Sequence, residues 1–194
     1  SASGESRAVV APLSLIISAF APVTDIRRTL TPQLRTDCGD TELILIDLGS
    51  GRNRLGASAF AQVHAQVGDA VPDVDSPESL RAFFDAIQKL NAADRLLAYH
   101  DRADGGLWAT VCEMAFAGRA GVTVYLDGLI ADPASLDVDG NERQTQALAG
   151  RVQDRIFGAL FSEELGAVIQ VRREDRAEVM QMLRQSGLSR ESHV

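Results

Sequence analysis

Residues 96–118 read LLAYHDRADGGLWATVCEMAFAG. The stretch opens on LLAY, an apolar run short enough for a buried strand. It passes through a polar turn holding two adjacent glycines. It closes on Leu107, Val111 and Met114, a helical spacing that ends near Gly118. A strand that runs through a glycine turn directly into a helix is the repeating unit of an α/β chain.

The alternation continues on both sides. Residues 41–48, TELILIDL, predict a strand, and the unbroken run Leu43–Ile46 predicts burial on both of its faces. A glycine-rich turn, GSGRNRLG at 49–56, leads to a helix with Phe60, Val63 and Val67 on one face, closed by Gly68-Asp69. After a loop at 70–75, Ser76-Pro77-Glu78 is a helix start: an N-cap, a proline in the first turn and an acid near the positive end. Leu80, Phe83, Phe84, Ile87 and Leu90 give that helix its apolar side. Downstream, VTVYL at 122–126 and AVIQV at 167–171 predict strands, and short helices are predicted around 155–160 and over 174–185, the latter using Val179, Met182 and Leu183. Residues 127–152 are polar, with Pro133, Gly140 and Gly150, and read as a surface insertion. At the other end, residues 8–21, AVVAPLSLIISAFA, read as a buried strand with Pro12 marking its start. Thr24 then caps a short helix, with Asp25 in its first turn and Pro32 past its end. The expectation is an α/β (α+β) domain with a mixed sheet and flanking helices over 8–188, a linker at 1–7 and a tail at 189–194.

Composition narrows the classes. The 194 residues are 45% hydrophobic and 24% charged, the ordinary range for one folded domain, and the net charge is −8. An acidic surface repels phosphate backbones and anionic lipid, so neither nucleic acid nor membrane is an expected partner. No apolar run reaches the ~18 residues of a spanning helix. Cys38 and Cys112 stand far apart with no CxxC partner, so reduced thiols in a cytoplasmic protein are expected, not a disulfide framework or zinc site.

The chemistry concentrates in His100-Asp101-Arg102-Ala103-Asp104-Gly105-Gly106. Ligands of α/β folds gather where strands end. Gly105 and Gly106 would let backbone amides approach a phosphate at the start of the next helix. Asp101 and Asp104 offer the hard oxygen atoms that Mg²⁺ takes alongside phosphate. A plainer reading stands beside this one, in which Asp104 only caps the helix and the glycines only make the turn. The Gly49–Gly56 loop fits neither G-x-G-x-x-G nor a P-loop, and reads as a turn, with Ser58 as its one candidate anion contact. Around Gly140, a calcium-loop alignment puts Ser135, Asp137 and Asp139 at the early positions but Gln146 at the last, so two strong ligands are missing. Of the three histidines, His64, His100 and His193, neither His64 nor His193 has a cysteine or carboxylate at metal-ligand spacing. No G-x-S-x-G elbow occurs, and the chain alone offers no complete catalytic set.

Several segments together resemble one family. Residues 9–21, VVAPLSLIISAFA; Leu48-Gly49…Leu55-Gly56-Ala57-Ser58; His100-Asp101-Arg102-x-Asp104-Gly105-Gly106-Leu107 followed by Glu113-Met114-Ala115-Phe116-Ala117-Gly118; and Phe161-Ser-Glu-Glu-Leu-Gly166 with Val168–Val171 resemble the second C-terminal-type domain of the large, single-chain phosphoribosylformylglycinamidine synthases. The likeness covers nearly all of 8–188. The HD…DGGL…EMAFAG combination is its specific part, and the glycine element alone is not specific.

The resemblance implies membership of the superfamily of aminoimidazole ribonucleotide (AIR) synthetase and selenophosphate synthetase. It also implies an ATP- and glutamine-dependent ligase of purine biosynthesis, built from two fused copies of a synthetase pair plus a glutaminase domain. Within such an enzyme this domain would help form an auxiliary site for ATP/ADP with Mg²⁺, and would not catalyse alone. Its partners would be the other domains of the same polypeptide. Asp101 matches an aspartate that ligates magnesium there, and Ala103 matches a serine that contacts the nucleotide. The alanine is a departure, because it leaves only a backbone contact at position 103. The 127–152 insertion is a second departure. The alternatives are a fragment of another enzyme of the superfamily, or a stand-alone interaction module.

Overall fold

The computed structural model describes residues 16–130, 146–189 and 192–194. Its centre is a four-stranded sheet in the order β2-β3-β1-β4. The strands are β1 (Thr41–Asp47), β2 (Ala98–Asp101), β3 (Gly166–Arg172) and β4 (Ser192–His193). Around it lie α1 (Ala59–Val63), α2 (Pro77–Ala92), α3 (Gly106–Gly118), α4 (Asp127–Ile130), α5 (Gln146–Phe161) and α6 (Arg176–Gln185). Every pairing among the described strands is antiparallel. The α/β class with flanking helices therefore holds, and the mixture is of helix with strand, not of strand directions.

Alternation along the strands divides the core into two layers. Ile44 and Ile46 of β1, with Ile169 and Val171 of β3, face α2 and α6 and pack against Ala86, Ile87, Leu90, Val179 and Leu183. Leu45, Ala98 and Val168 point to the other side and meet Leu107, Val111 and Met114 of α3, with Leu34 closing the edge. The run Leu43–Ile46 feeds both layers, as its unbroken apolar character predicts. The start of α2 is as read: the Ser76 side chain accepts from the Ser79 amide and Pro77 begins the helix.

Several predicted elements differ. Residues 16–21 of the expected first strand carry no strand, and Ile16 and Phe20 are each 95% exposed; residues 8–15 lie outside the described set. VTVYL at 122–126 is likewise irregular, with Tyr125 exposed. β-branched runs make strands only where a neighbour completes the ladder, and among the described residues neither 16–21 nor 122–126 is paired. The helix after Ser58 stops at Val63, so Val63 and Val67 are exposed instead of forming a buried face. The turn near Ile26–Arg28 is a 3₁₀ segment capped by Asp25, whose side chain accepts from the Arg27 amide, and not by Thr24.

The helix predicted around 155–160 is longer, running from Gln146, so it takes the last part of the expected insertion. Residues 1–7 and 131–145, which carry the linker and most of that insertion with Ser135, Asp137 and Asp139, lie outside the described residues. The tail contributes β4, where His193 pairs with Leu45.

Candidate functional site

β2 delivers the His100–Gly106 turn to the end of the sheet. Alternation sends its side chains to opposite faces. His100 shares the face of Ala98, toward α3, and its Nε2 lies 2.6 Å from Glu113 Oε2. Asp101 shares the face of Tyr99, whose hydroxyl donates to Asp101 Oδ1 at 2.5 Å. Burial, with this hydrogen bond second, raises the Tyr99 pKa and holds the phenol in its donating form. Asp101 is exposed, and its Oδ2 accepts no hydrogen bond among the described residues. Ala103 and Asp104 are exposed as well.

The turn is anchored from inside. Arg102, between two exposed neighbours, is buried. Its guanidinium donates to Asp47 Oδ1 at 2.5 Å, to the Glu164 carbonyl at 2.6 Å and to the Leu165 carbonyl at 3.1 Å. Its backbone amide donates to the Gly166 carbonyl. Asp47 in turn accepts from the amides of Gly49 and Gly51, which shapes the glycine-rich loop. A second buried acid, Glu164, accepts from the Arg54 amide and guanidinium, with Asp75 on the outer side of the same arginine. Glu164 is the main cause of a raised Arg54 pKa. Each buried charge therefore has an opposite charge in hydrogen-bond contact, which burial of ions requires.

The two glycines serve packing, not ligand approach. The Gly105 amide donates to Glu163 Oε1 at 2.9 Å, and the Gly106 amide to the Ala103 carbonyl at 2.9 Å. Both amides expected to reach a phosphate are thus spent within the protein. Gly106 has φ +67°, and a Cβ there would lie 2.7 Å from the Leu160 and Ser162 carbonyl oxygens. Only glycine lets α3 start this close to the end of α5. The N-cap of α3 is Gly105, so Asp104 does not cap the helix. Ser58 is fully buried: its hydroxyl donates to the Leu55 carbonyl and accepts from the Ala61 amide, so it faces no anion.

Asp47, Arg54, Glu163 and Glu164 were not singled out by sequence reasoning as site residues. The one signal available for the two glutamates is their place between α5 and β3, in the segment that resembles FxEELG. Among the described residues no group of three or more His, Cys, Asp or Glu side chains could hold a metal ion. What the turn offers a hard cation is two exposed carboxylates, Asp101 with one oxygen open and Asp104. That is the protein share Mg²⁺ commonly takes when phosphate oxygens and water supply the rest. No helix among the described residues is long and apolar enough to cross a membrane.

Comparison with known proteins follows the same lines. Residues 41–194 match the family model described as AIR synthase related protein, C-terminal domain. The solved structure of PurLQS from Thermotoga maritima superposes with a TM-score of 0.52 at 12% identity, over 83% of this chain and 22% of that one. The structure of T. maritima PurL complexed with ATP gives 0.50 at 13% identity, with the same coverage. At such identities the likeness shows the fold, and this chain spans about a fifth of those proteins' length.

Proposed function

Because the chain belongs to the family of AIR synthase related protein C-terminal domains, we propose that it serves as the second C-terminal-type domain of a large, single-chain phosphoribosylformylglycinamidine synthase. In this reading the complete cytoplasmic enzyme uses ATP and glutamine to convert formylglycinamide ribonucleotide to formylglycinamidine ribonucleotide. The domain, residues 8–188, completes an auxiliary Mg²⁺-nucleotide site with other domains of the polypeptide and does not catalyse alone. Asp101 gives one carboxylate oxygen to the magnesium, and Ala103 meets the nucleotide through its backbone. The bound cation would neutralise phosphate charge next to an acidic domain, where a bare anion would be repelled.

The observation that carries this reading is the setting of Asp101. It is an exposed acid at a strand end, held by Tyr99 through one oxygen and open at the other. Behind it, Arg102, Gly106, Leu107 and Met114 of the same signature are buried. Replacing Asp101 with alanine in the full-length enzyme is expected to lower retention of magnesium and nucleotide through purification and desalting, measured by metal analysis and absorbance of the released nucleotide. Full retention with unchanged thermal stability would remove Asp101 from the site.

A further inference from the structure

Glu163 lies between α5 and β3, and its carboxylate does something no other described acid does. Its Oε1 accepts two backbone amides at once, from Gly105 at 2.9 Å and from Ala59 at 2.8 Å. Gly105 is the N-cap of α3, and Ala59 is the first residue of α1. One oxygen thus ties the turn that follows Asp101 to the start of a helix more than forty residues earlier in the chain. Its second oxygen, Oε2, accepts no hydrogen bond among the described residues.

Neither helix start can replace this bond locally. Gly105 has no side chain to cap α3 and sits at φ +83°. Ser58 caps α1 but spends its hydroxyl on Ala61 and Leu55, leaving the Ala59 amide to Glu163. A carboxylate also suits the positive end of a helix, so charge and geometry favour the same placement.

The turn from Arg102 to Gly106 is consequently fixed at both ends. Arg102 is held by Asp47 and by the carbonyls of Glu164 and Leu165. Gly105 is held by Glu163. Between the two anchors lie Ala103 and Asp104, exposed and without an anchor of their own beyond the Gly106 amide on the Ala103 carbonyl.

We infer that Glu163 is the positioning residue of this turn: it sets the backbone at 103–105 for a magnesium-bound nucleotide and does not itself touch the ligand. The inference rests on the function proposed above and extends it. With alanine at 103 the nucleotide contact is backbone only, so the placement of that backbone carries the recognition. An error of about 1 Å in such a contact is enough to lose most of it.

The test uses the full-length protein and Mg²⁺-ADP as probe, with affinity read by calorimetry. Glu163→Gln keeps an oxygen able to accept from both amides, and Glu163→Ala keeps none. The expected result is a loss of at least tenfold in affinity for Glu163→Ala and a loss of less than threefold for Glu163→Gln. Hydrogen exchange is expected to quicken in Glu163→Ala at 57–60 and 103–106 and to be unchanged along β3. Leu183→Ala, in the core layer on the far side of the sheet, lowers stability without touching the turn and is expected to bind like the parent protein. Parent-like binding by Glu163→Ala overturns the inference alone. So does an equal loss in Leu183→Ala, which would make the effect one of general stability. A parent protein that binds Mg²⁺-ADP no better than Asp101→Ala overturns the function proposed above and this inference with it.

Discussion

Arg102 occupies the middle of an otherwise exposed turn, yet its side chain is 1% exposed. Its charge is matched by Asp47, itself only 5% exposed. Burying such a pair gains little over a well-packed apolar pair, but removing one partner strands the other charge and costs ~3–5 kcal/mol. Arg102→Met is therefore expected to lower unfolding free energy by roughly that amount, read from the urea midpoint at constant slope. A loss under ~1 kcal/mol would mean that water reaches Asp47 and that the pair anchors nothing. The sequence reading found Asp101 here because a polar residue following a buried strand is a local pattern. It could not find the anchors. Asp47 and Arg102 are 55 residues apart, and Glu163 and Gly105 are 58 apart. Periodicity reports which way one segment faces, and carries no information about which distant segment it meets. The glycines show the same limit: the sequence leaves them open between approaching a ligand and making the turn, and the Glu163 carboxylate that takes the Gly105 amide lies 58 residues away.

At the level of elements, legibility follows how local each stabilising interaction is. α2 is written in its own residues, from the Ser76 cap through Pro77 to Ile87 and Leu90 on the buried side. β1 and β3 are similarly legible, because the runs Leu43–Ile46 and Ala167–Ile169 at their centres are apolar, as burial on both faces requires. The stretches 16–21 and 122–126, which read as strands, have no pairing partner among the described strands, a property of the sheet and not of the run. The junction of α5, β3 and α3 shows the opposite case, in which tertiary packing dictates a single residue. A methyl group at Gly106 would meet backbone carbonyls, which cannot swing aside as a side chain can. The φ of +67° adds strain for any residue with a Cβ. Gly106→Ala is expected to destabilise the fold by about 2–4 kcal/mol, combining the backbone strain with the overpacking. Gly51→Ala is the control: it shares the positive φ but meets nothing within 4 Å, so it is expected to cost only about 1 kcal/mol. Equal losses at the two sites, in parallel thermal or urea melts, would show that α3 does not start against the end of α5.

At the scale of the whole molecule, the two faces of the sheet are not equally finished among the described residues. The face under α2 and α6 is closed over fully buried Leu90, Val179 and Leu183. The face under α3 leads into an open groove of about 720 Å³, bordered by Leu43, Leu45, Val122 and Leu129. α3 itself is apolar on both sides. Leu107, Val111 and Met114 face the sheet, while Trp108, Cys112 and Phe116 recur every four residues on the outer side, with Trp108 and Phe116 exposed. A helix apolar all round belongs in the interior of a larger body. Ile16, Ile17 and Phe20, ahead of β1, are exposed as well. The 194-residue chain on its own is therefore expected to self-associate, opposed chiefly by its net charge of −8. Salt screens that charge without weakening apolar contact, since the Debye length shrinks from about 30 Å at 0.01 M to about 10 Å at 0.1 M. Sedimentation velocity should thus show a weight-average mass above 20.8 kDa that rises with both protein and salt concentration. Phe116→Glu, placing a charge in the outer stripe of α3, is expected to reduce that rise, and Ile16→Glu to do so through the other apolar segment. A monomer at every salt concentration would mean that the outer side of α3 is covered within the chain itself, and the case for a partner domain on that side would fall. Association that survives Phe116→Glu but not Ile16→Glu would instead assign the contact to the segment before β1.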